Sequence, residues 1–319
     1  MRHVRPKKAL GQHFLTDLHT AQRIADTVDA CPDLPILEVG PGMGVLTQYL
    51  VRKGRPLRVV ELDHESVDYL LHHFPELDDE DIIPDDFLKM RLERTFGAPF
   101  VLTGNYPYNI SSQIFFRVVD HRDLIPCCTG MIQKEVAERL AAKPGSKAFG
   151  ILSAMVQLWY DVEYLFTVEP DVFNPPPKVR SAVVRLTRNA RRSLPCDETL
   201  YKRVVKMVFN QRRKMLRGTL RGLLQQLDAQ YASSALPSRP AQPLHPDSAT
   251  PQALTAVADP ELEAPTSTAP LSPTLAAARR KPLPDHTSLL SDPLFTRRPE
   301  QLSVEDFISL TARIEAEYA

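Results

Sequence analysis

The chain has 319 residues, enough to bury one full domain and a smaller second one. Apolar content is 43%, no apolar run approaches a membrane span, and no apolar segment follows the basic start "MRHVRPKK", so neither a membrane protein nor a secreted one is expected. The 39 basic and 39 acidic residues cancel, but they are segregated. Arg2, Arg5, Lys7 and Lys8 open the chain without a carboxylate, and residues 201–222 hold eight Lys and Arg, again without one. Segregation of this kind points to a polyanionic partner. Cys31, Cys127, Cys128 and Cys196 show neither metal nor disulfide spacing, which fits a reducing cytosol.

In chain order, "PILEV" (35–39) reads as a buried strand and 45–54 as the helix after it, stopped at Gly54. "LRVVEL" (57–62) is a second strand, followed by a helix over 64–73. Short strands are expected at Ile82-Ile83 and "PFVLTG" (99–104), then a helix from Ser111-Ser112 and a strand at "CCTGMIQ" (127–133). Strand-helix alternation argues a doubly wound, mostly parallel α/β sheet, with "SAVVRLTR" (181–188) closing it as an antiparallel edge. Beyond 196 the pattern turns helical, near 198–209, 213–227 and 303–318, with Ser303 as the last N-cap. Residues 232–294 contain hardly any pattern, are rich in Pro, Ala, Ser and Thr, and read as a disordered insertion. The expected division is therefore 1–195 and 196–319.

Three features suggest chemistry. In "EVGPGMG" (38–44), Gly40 and Gly42 let the backbone turn sharply after a strand and approach a ligand. Glu61 ends the second strand, 21 residues after Gly40, where a carboxylate accepts from both hydroxyls of a ribose. Asp85-Asp86 after the third strand adds a carboxylate within reach of an adenine amine. NAD and S-adenosylmethionine both satisfy these features, and the loop matches the dinucleotide pattern only in part. "NYPY" (105–108) favours methyl transfer to an exocyclic amine, whose lone pair is delocalised into its ring. A carboxamide oxygen and a backbone carbonyl that accept both N–H bonds hold such a nitrogen with its lone pair aimed outward. Pro107 fixes the turn and Tyr108 offers a stacking face. "FNQRRKMLRGTLR" (209–221) reads as a basic helical face for phosphates.

With "LGQHFL" (10–15), "EVGPGMGVLT" (38–47), "ELD" (61–63), "GNYPYNIS" (104–111), "QKEVAERL" (133–140), "FNPPPKVRSAVVRL" (173–186) and "FNQRRK" (209–214), the chain resembles the ribosomal RNA adenine-N6,N6-dimethyltransferases, specifically the bacterial small-subunit type. The resemblance covers residues 7 to about 227 and 299 to 317. It implies a Rossmann-like class I methyltransferase domain with a small C-terminal helical, rRNA-binding domain. S-adenosylmethionine is the implied cofactor, and 16S rRNA in the small ribosomal subunit or its precursor the implied partner. No metal is needed for that chemistry. A cytoplasmic monomer is expected.

Position by position, the resemblance implies that His13 and Leu15 lie over the cofactor, that Gly40 and Gly42 line its methionine side, and that Glu61 holds the ribose. Asp86 and the Phe87 backbone meet its adenine. Asn105 and the Tyr106 carbonyl hold the target N6, Tyr108 and Phe173 sandwich the base, and Arg212, Arg213 and Lys214 meet rRNA. His13 stands where the family often has asparagine, and Tyr106 replaces a usual leucine. Two alternatives stand beside this reading. The large-subunit dimethyltransferases share the N-terminal motifs, although "FNQRRK" and "FNPPPKV" favour the small-subunit type. The other is an assembly factor that acts mainly by binding.

Overall fold

The computed structural model describes residue 7, residues 11–234 and residues 283–318. Its strands are β1 (Phe14–Leu15), β2 (Ile36–Val39), β3 (Leu57–Val60), β4 (Ile82–Ile83), β5 (Val101–Thr103), β6 (Cys127–Gln133), β7 (Tyr160–Val168), β8 (Phe173–Asn174) and β9 (Ser181–Arg188). Seven of them form one sheet in the order β4-β3-β2-β5-β6-β9-β7, and β1 pairs with β8 apart from it. The first five of that order are parallel, while β9 runs antiparallel to both β6 and β7. Because β2 pairs with β3 on one side and β5 on the other, the strand order reverses there. The crevice beyond the carboxyl ends of such strands is where open α/β sheets bind ligands.

Both faces of the sheet are buried, which is why its strands read as continuous apolar runs. Ile36, Val59, Val101 and Cys127 face one core together with α1 (Leu18–Asp26), α2 (Thr47–Leu50) and α3 (His64–His73). Leu37, Val60, Leu102 and Cys128 face the other core. Cys127 and Cys128 thus serve as small hydrophobes on opposite faces, both fully buried. Between strands lie α4 (Glu93–Phe96), α5 (Ser111–Asp120), α6 (Lys134–Leu140) and α7 (Ile151–Val156).

The C-terminal helices are α8 (Glu198–Asn210), α9 (Leu216–Ser234), α10 (Thr287–Ser291) and α11 (Val304–Ala316). The expected boundary at 195/196 falls in the loop before α8, but the second core runs across it. Val204, Val208 and Phe307 belong to the same cluster as Leu152 and Phe115. The Tyr201 hydroxyl donates to the Ala154 carbonyl at 3.0 Å. Ser303 caps α11 reciprocally with Asp306, the N–H of each residue donating to the side chain of the other.

Three expectations need correction. The strand at 181–188 is interior, not the edge, because β7 pairs along its outer side. The basic triplet does not lie on a helix: α8 stops at Asn210 and α9 starts at Leu216, so Arg212, Arg213 and Lys214 sit in the intervening turn. The stretch 232–294 is also ordered at both ends, where α9 continues to Ser234 and α10 packs back through buried Leu289. Residues 235–282 of that stretch lie outside the described residues. The returning segment is pinned by polar contacts too. His286 Nε2 donates to Asp228 Oδ1 at 3.1 Å, and the Tyr318 hydroxyl donates to the same oxygen at 2.8 Å.

Leu289 is 3% exposed within the main core, so Leu289→Ala leaves a cavity there. The expected loss is about 2–4 kcal/mol, read as a lower urea midpoint at unchanged slope.

Candidate active site

A cavity of about 170 Å³ opens where β2, β3, β4 and β5 end. Its floor is the glycine turn after β2. Gly40 and Gly42 have φ of +68° and +57°, and a Cβ on Gly42 would meet the Phe14 ring at 3.0 Å, so the turn needs glycine. The Gly40 N–H donates to the Val60 carbonyl at 2.9 Å, which ties the turn to β3. Glu61 lies at the end of that strand, 5% exposed. Its Oε2 accepts from the Gly42 N–H at 3.0 Å and its Oε1 from the Asp63 N–H at 2.9 Å. Burial pushes this carboxyl above its usual range, and the two N–H bonds pull against that shift. The turn and the carboxylate are therefore one rigid unit.

Asp86 and Phe87 form the wall beyond β4. Asp86 Oδ1 accepts from the Leu88 N–H at 2.9 Å, Asp86 Oδ2 meets Lys89 Nζ at 3.2 Å, and Phe87 is buried. Opposite stands the loop after β5. Asn105 Nδ2 donates to the His13 carbonyl at 3.0 Å, which assigns the amide and leaves Oδ1 as an acceptor. The Tyr106 N–H donates to the Met131 carbonyl at 3.0 Å, continuing the β5–β6 pairing by one step. The Tyr106 side chain leaves the site altogether. Its ring is 1% exposed in the core, and its hydroxyl donates to the Thr129 carbonyl at 2.7 Å. A side chain committed to the core in this way can be tyrosine as well as leucine.

Tyr108 separates this cavity from a second one of about 450 Å³, lined by His13, Gln133 and the Pro175–Val179 loop. The Tyr108 hydroxyl is hydrogen-bonded to Ser181 Oγ. The His13 ring stacks on Tyr108 with centroids 5.4 Å apart, and its Nδ1 donates to the Pro175 carbonyl at 2.8 Å. His13 therefore forms part of the wall between the two cavities rather than lying over the first alone.

Two expected positions are not brought to these cavities. Phe173 is 4% exposed in the first core, is paired with Leu15 across the β1–β8 ribbon, and lines neither cavity. Leu15, 3% exposed, lines a small space of about 40 Å³ beside the glycine turn, together with Gly40, Gly42 and Asn105. The basic turn is also split in role. Arg212 Nη2 donates to the Lys147 carbonyl and its Nε lies 3.9 Å from Glu300, whereas Arg213 and Lys214 are exposed.

Sequence reasoning passed over Lys7 and Glu38. Lys7 Nζ pairs closely with Asp63 Oδ1 and reaches Glu65 Oε1 at 3.2 Å, which ties Lys7 to the turn after β3. Burial opposes ionisation of Asp63, but the Lys7 ammonium and the Glu65 N–H outweigh it and keep this carboxyl low. Glu38 was visible as a lone carboxylate inside "PILEV". It is 1% exposed beneath the turn, accepts from the Thr47 hydroxyl at 2.7 Å, and is pushed up by burial to about 8.

Since the raised Glu38 value lies above its ordinary 4.5, the unfolded chain ionises first as pH rises. Its contribution to stability is present below about 4.5 and is lost as pH climbs towards about 8. Glu38→Gln keeps an acceptor for Thr47 and removes this loss. The variant should be more stable than wild type at pH 8, by on the order of 3 kcal/mol, with the difference vanishing towards pH 4.5 in urea unfolding.

Fold and site together define a class I methyltransferase, with a glycine turn, a strand-end carboxylate and an amide-bearing loop around one crevice. The family described as "Ribosomal RNA adenine dimethylase" matches residues 4–244, and the chain belongs to it. It is 54% identical over 314 residues to "Ribosomal RNA small subunit methyltransferase A" of Phocaeicola vulgatus, covering 98% of this chain and 91% of that one. The protein of the same name from Parabacteroides distasonis is 62% identical over 242 residues, 76% of this chain and 91% of that one. Among solved structures, a dimethyladenosine transferase from Plasmodium falciparum shares the fold with a TM-score of 0.67 at 20% identity, over 96% and 98% of the two chains. The 23S rRNA methyltransferase ErmE aligns with a TM-score of 0.51 at 29% identity, over 70% and 88%.

Proposed function

We propose that this protein dimethylates N6 of two adjacent adenosines near the 3′ end of 16S rRNA in the small ribosomal subunit, using S-adenosylmethionine. The observation that carries the reading is the Asn105 carboxamide. Its N–H₂ group donates to the His13 carbonyl, which leaves Oδ1 free to accept, and in this reading Oδ1 and the neighbouring Tyr106 carbonyl act as a pair of acceptors beside the cavity that both residues line. S-adenosylmethionine supplies an electrophilic sulfonium methyl when bound. The chain's residues fit it: Glu61 for the ribose hydroxyls, Asp86 and the Phe87 backbone for the adenine, and the Gly40–Gly42 turn for the methionine end. The work of the acceptor pair is positional, taking both N–H bonds of a flipped-out adenine so that its lone pair faces the cavity. Tyr108 stacks on the base from the side now covered by His13.

The small-subunit substrate is preferred over the large because relatives matching 98% of the chain carry the small-subunit name. We further assign 1–195 as the catalytic part and 196–319 as the rRNA-binding helical part, joined by the shared core.

Asn105→Ala should lower methyl transfer to small-subunit particles by on the order of a hundredfold, equivalent to roughly 3 kcal/mol, while cofactor affinity by calorimetry stays near wild type. Glu61→Ala should weaken cofactor binding instead. Wild-type turnover in Asn105→Ala, or product lacking dimethyladenosine by mass spectrometry of 16S rRNA, would sink the reading.

The exposed pair Arg213 and Lys214 is assigned to rRNA phosphates. Replacing both with glutamine should flatten the slope of log K against log salt by about 0.7–0.9 for every phosphate that is no longer neutralised. Arg212→Gln, tied to Lys147 and Glu300, should instead lower thermal stability with little change in that slope.

A further inference from the structure

Among the described residues lining the second cavity, Gln133 is a half-buried polar side chain with no assigned task. Gln133 ends β6 directly opposite Ser181 of β9, and Ser181 holds the Tyr108 phenol. Sheet register therefore fixes Gln133 against the ring on which the target base stacks. Its carboxamide lines the cavity, is half-buried, and makes no side-chain hydrogen bond among the described residues. The amide is open to the cavity and has no protein partner to give up, so a ligand entering there can take its N–H directly.

The chemistry of the base says what that partner is. The Asn105 and Tyr106 oxygens accept from an amino group and repel guanine, which presents an oxygen at the same position. They do not distinguish adenine from cytosine, because cytosine also carries an exocyclic amine with two N–H bonds. What separates the two is N7, an acceptor beside the amino group that only purines have, and glutamine amides pair well with this edge of adenine.

Other side chains of the cavity are unsuited to donate there. Gln12 already accepts from the Lys7 N–H at 2.9 Å and bonds Asp63. His13 spends Nδ1–H on the Pro175 carbonyl, so Nε2 of the neutral ring has only a lone pair to offer. The Tyr108 hydroxyl is held by Ser181, and Lys178 is exposed at the rim.

We propose that Gln133 donates an amide N–H to N7 of the target adenine and thereby completes its selection over cytosine. The inference rests on the rRNA adenine methyltransferase reading of the site. It adds a specificity-determining residue on the substrate side.

The test uses the full-length enzyme and small-subunit particles reassembled with a 3′ rRNA fragment carrying adenosine or 7-deazaadenosine at the target. Wild type should lose about tenfold in kcat/KM on the 7-deaza particle. Gln133→Ala and the isosteric Gln133→Glu, which lacks the donor, should each lose about tenfold on adenosine and nothing further on 7-deazaadenosine. Cofactor affinity by calorimetry should match wild type in both variants.

Three results would overturn the proposal: Gln133→Ala within twofold of wild type on adenosine, Gln133→Glu with the wild-type rate, or a Gln133→Ala enzyme still tenfold sensitive to the deaza substitution. A wild-type enzyme inactive on the adenosine particle is a separate outcome. It would overturn the functional reading, and this inference with it.

Discussion

The ends of three central strands meet at two glycines. A Cβ on Gly104 would lie 2.4 Å from the Val39 carbonyl, and one on Gly130 would lie 2.4 Å from the Gly104 carbonyl and 2.7 Å from the Tyr106 ring. No side chain fits at either position, so β2, β5 and β6 close up and the chain leaving β5 stays paired alongside β6 as far as Asn105 and Met131. The Tyr106 ring then drops into the core, where burial and the bond to the Thr129 carbonyl anchor it. That anchor holds the backbone on either side of it. The Asn105 amide and the Tyr106 carbonyl stay at the cavity because the tyrosine side chain is fixed on the far side. A loop placed only by its surface contacts would not hold two acceptors to the tolerance that positioning a weak nucleophile requires.

A second constraint is electrostatic. Glu38 within β2, and Glu61 and Asp63 in the turn that follows β3, are all buried. Three carboxylates so placed would destabilise the fold if all were charged and unpaired. Each is handled differently. Glu38 is held neutral over the ordinary pH range by burial, and Asp63 is kept charged by Lys7. Glu61 has one N–H on each oxygen, which leaves lone pairs on both for a ligand's hydroxyls. The contact between Lys7 and Asp63 therefore does two things at once. It offsets a buried charge, and it ties Lys7 to the end of β3, on the same side of the crevice as Gln12, whose side chain accepts from the Lys7 N–H.

Features with a local physical signature were legible in the sequence. The helix over 64–73 and the strands at 127–133 and 181–188 coincide with the structure because apolar runs and caps mark them. Glu61 and Asn105 could be placed at strand ends because a polar residue closing an apolar run has few other positions. What the sequence concealed depends on packing partners. β7 is the edge strand and opens with the exposed charges Asp161 and Glu163, so its run "YDVEYLFTV" lacks the continuous apolar signal of the buried strands, and without it β9 reads as an edge. Phe173 and Leu15 are apolar residues in motifs near the site, but which face of the chain they occupy follows from the β1–β8 pairing, and that pairing buries both. The segment around Leu289 carries few apolar residues, and they pack against surface supplied by other helices, which composition cannot register.

In the proposed reaction the same rigidity that orders the substrate also governs its release. An unmodified adenine offers two N–H bonds to two acceptors, Asn105 Oδ1 and the Tyr106 carbonyl. After one methyl transfer a single N–H remains, so one acceptor loses its partner. The Asn105 amide cannot turn away to compensate, because its nitrogen is held on the His13 carbonyl. The monomethylated base therefore binds through one acceptor and still presents a lone pair, which suffices for a second transfer. A dimethylated base offers neither bond. It leaves two partly buried acceptors unsatisfied, at a cost of about 1–3 kcal/mol each. In that proposed reaction, the same two acceptors that position the base for each transfer disfavour retention of the dimethylated product.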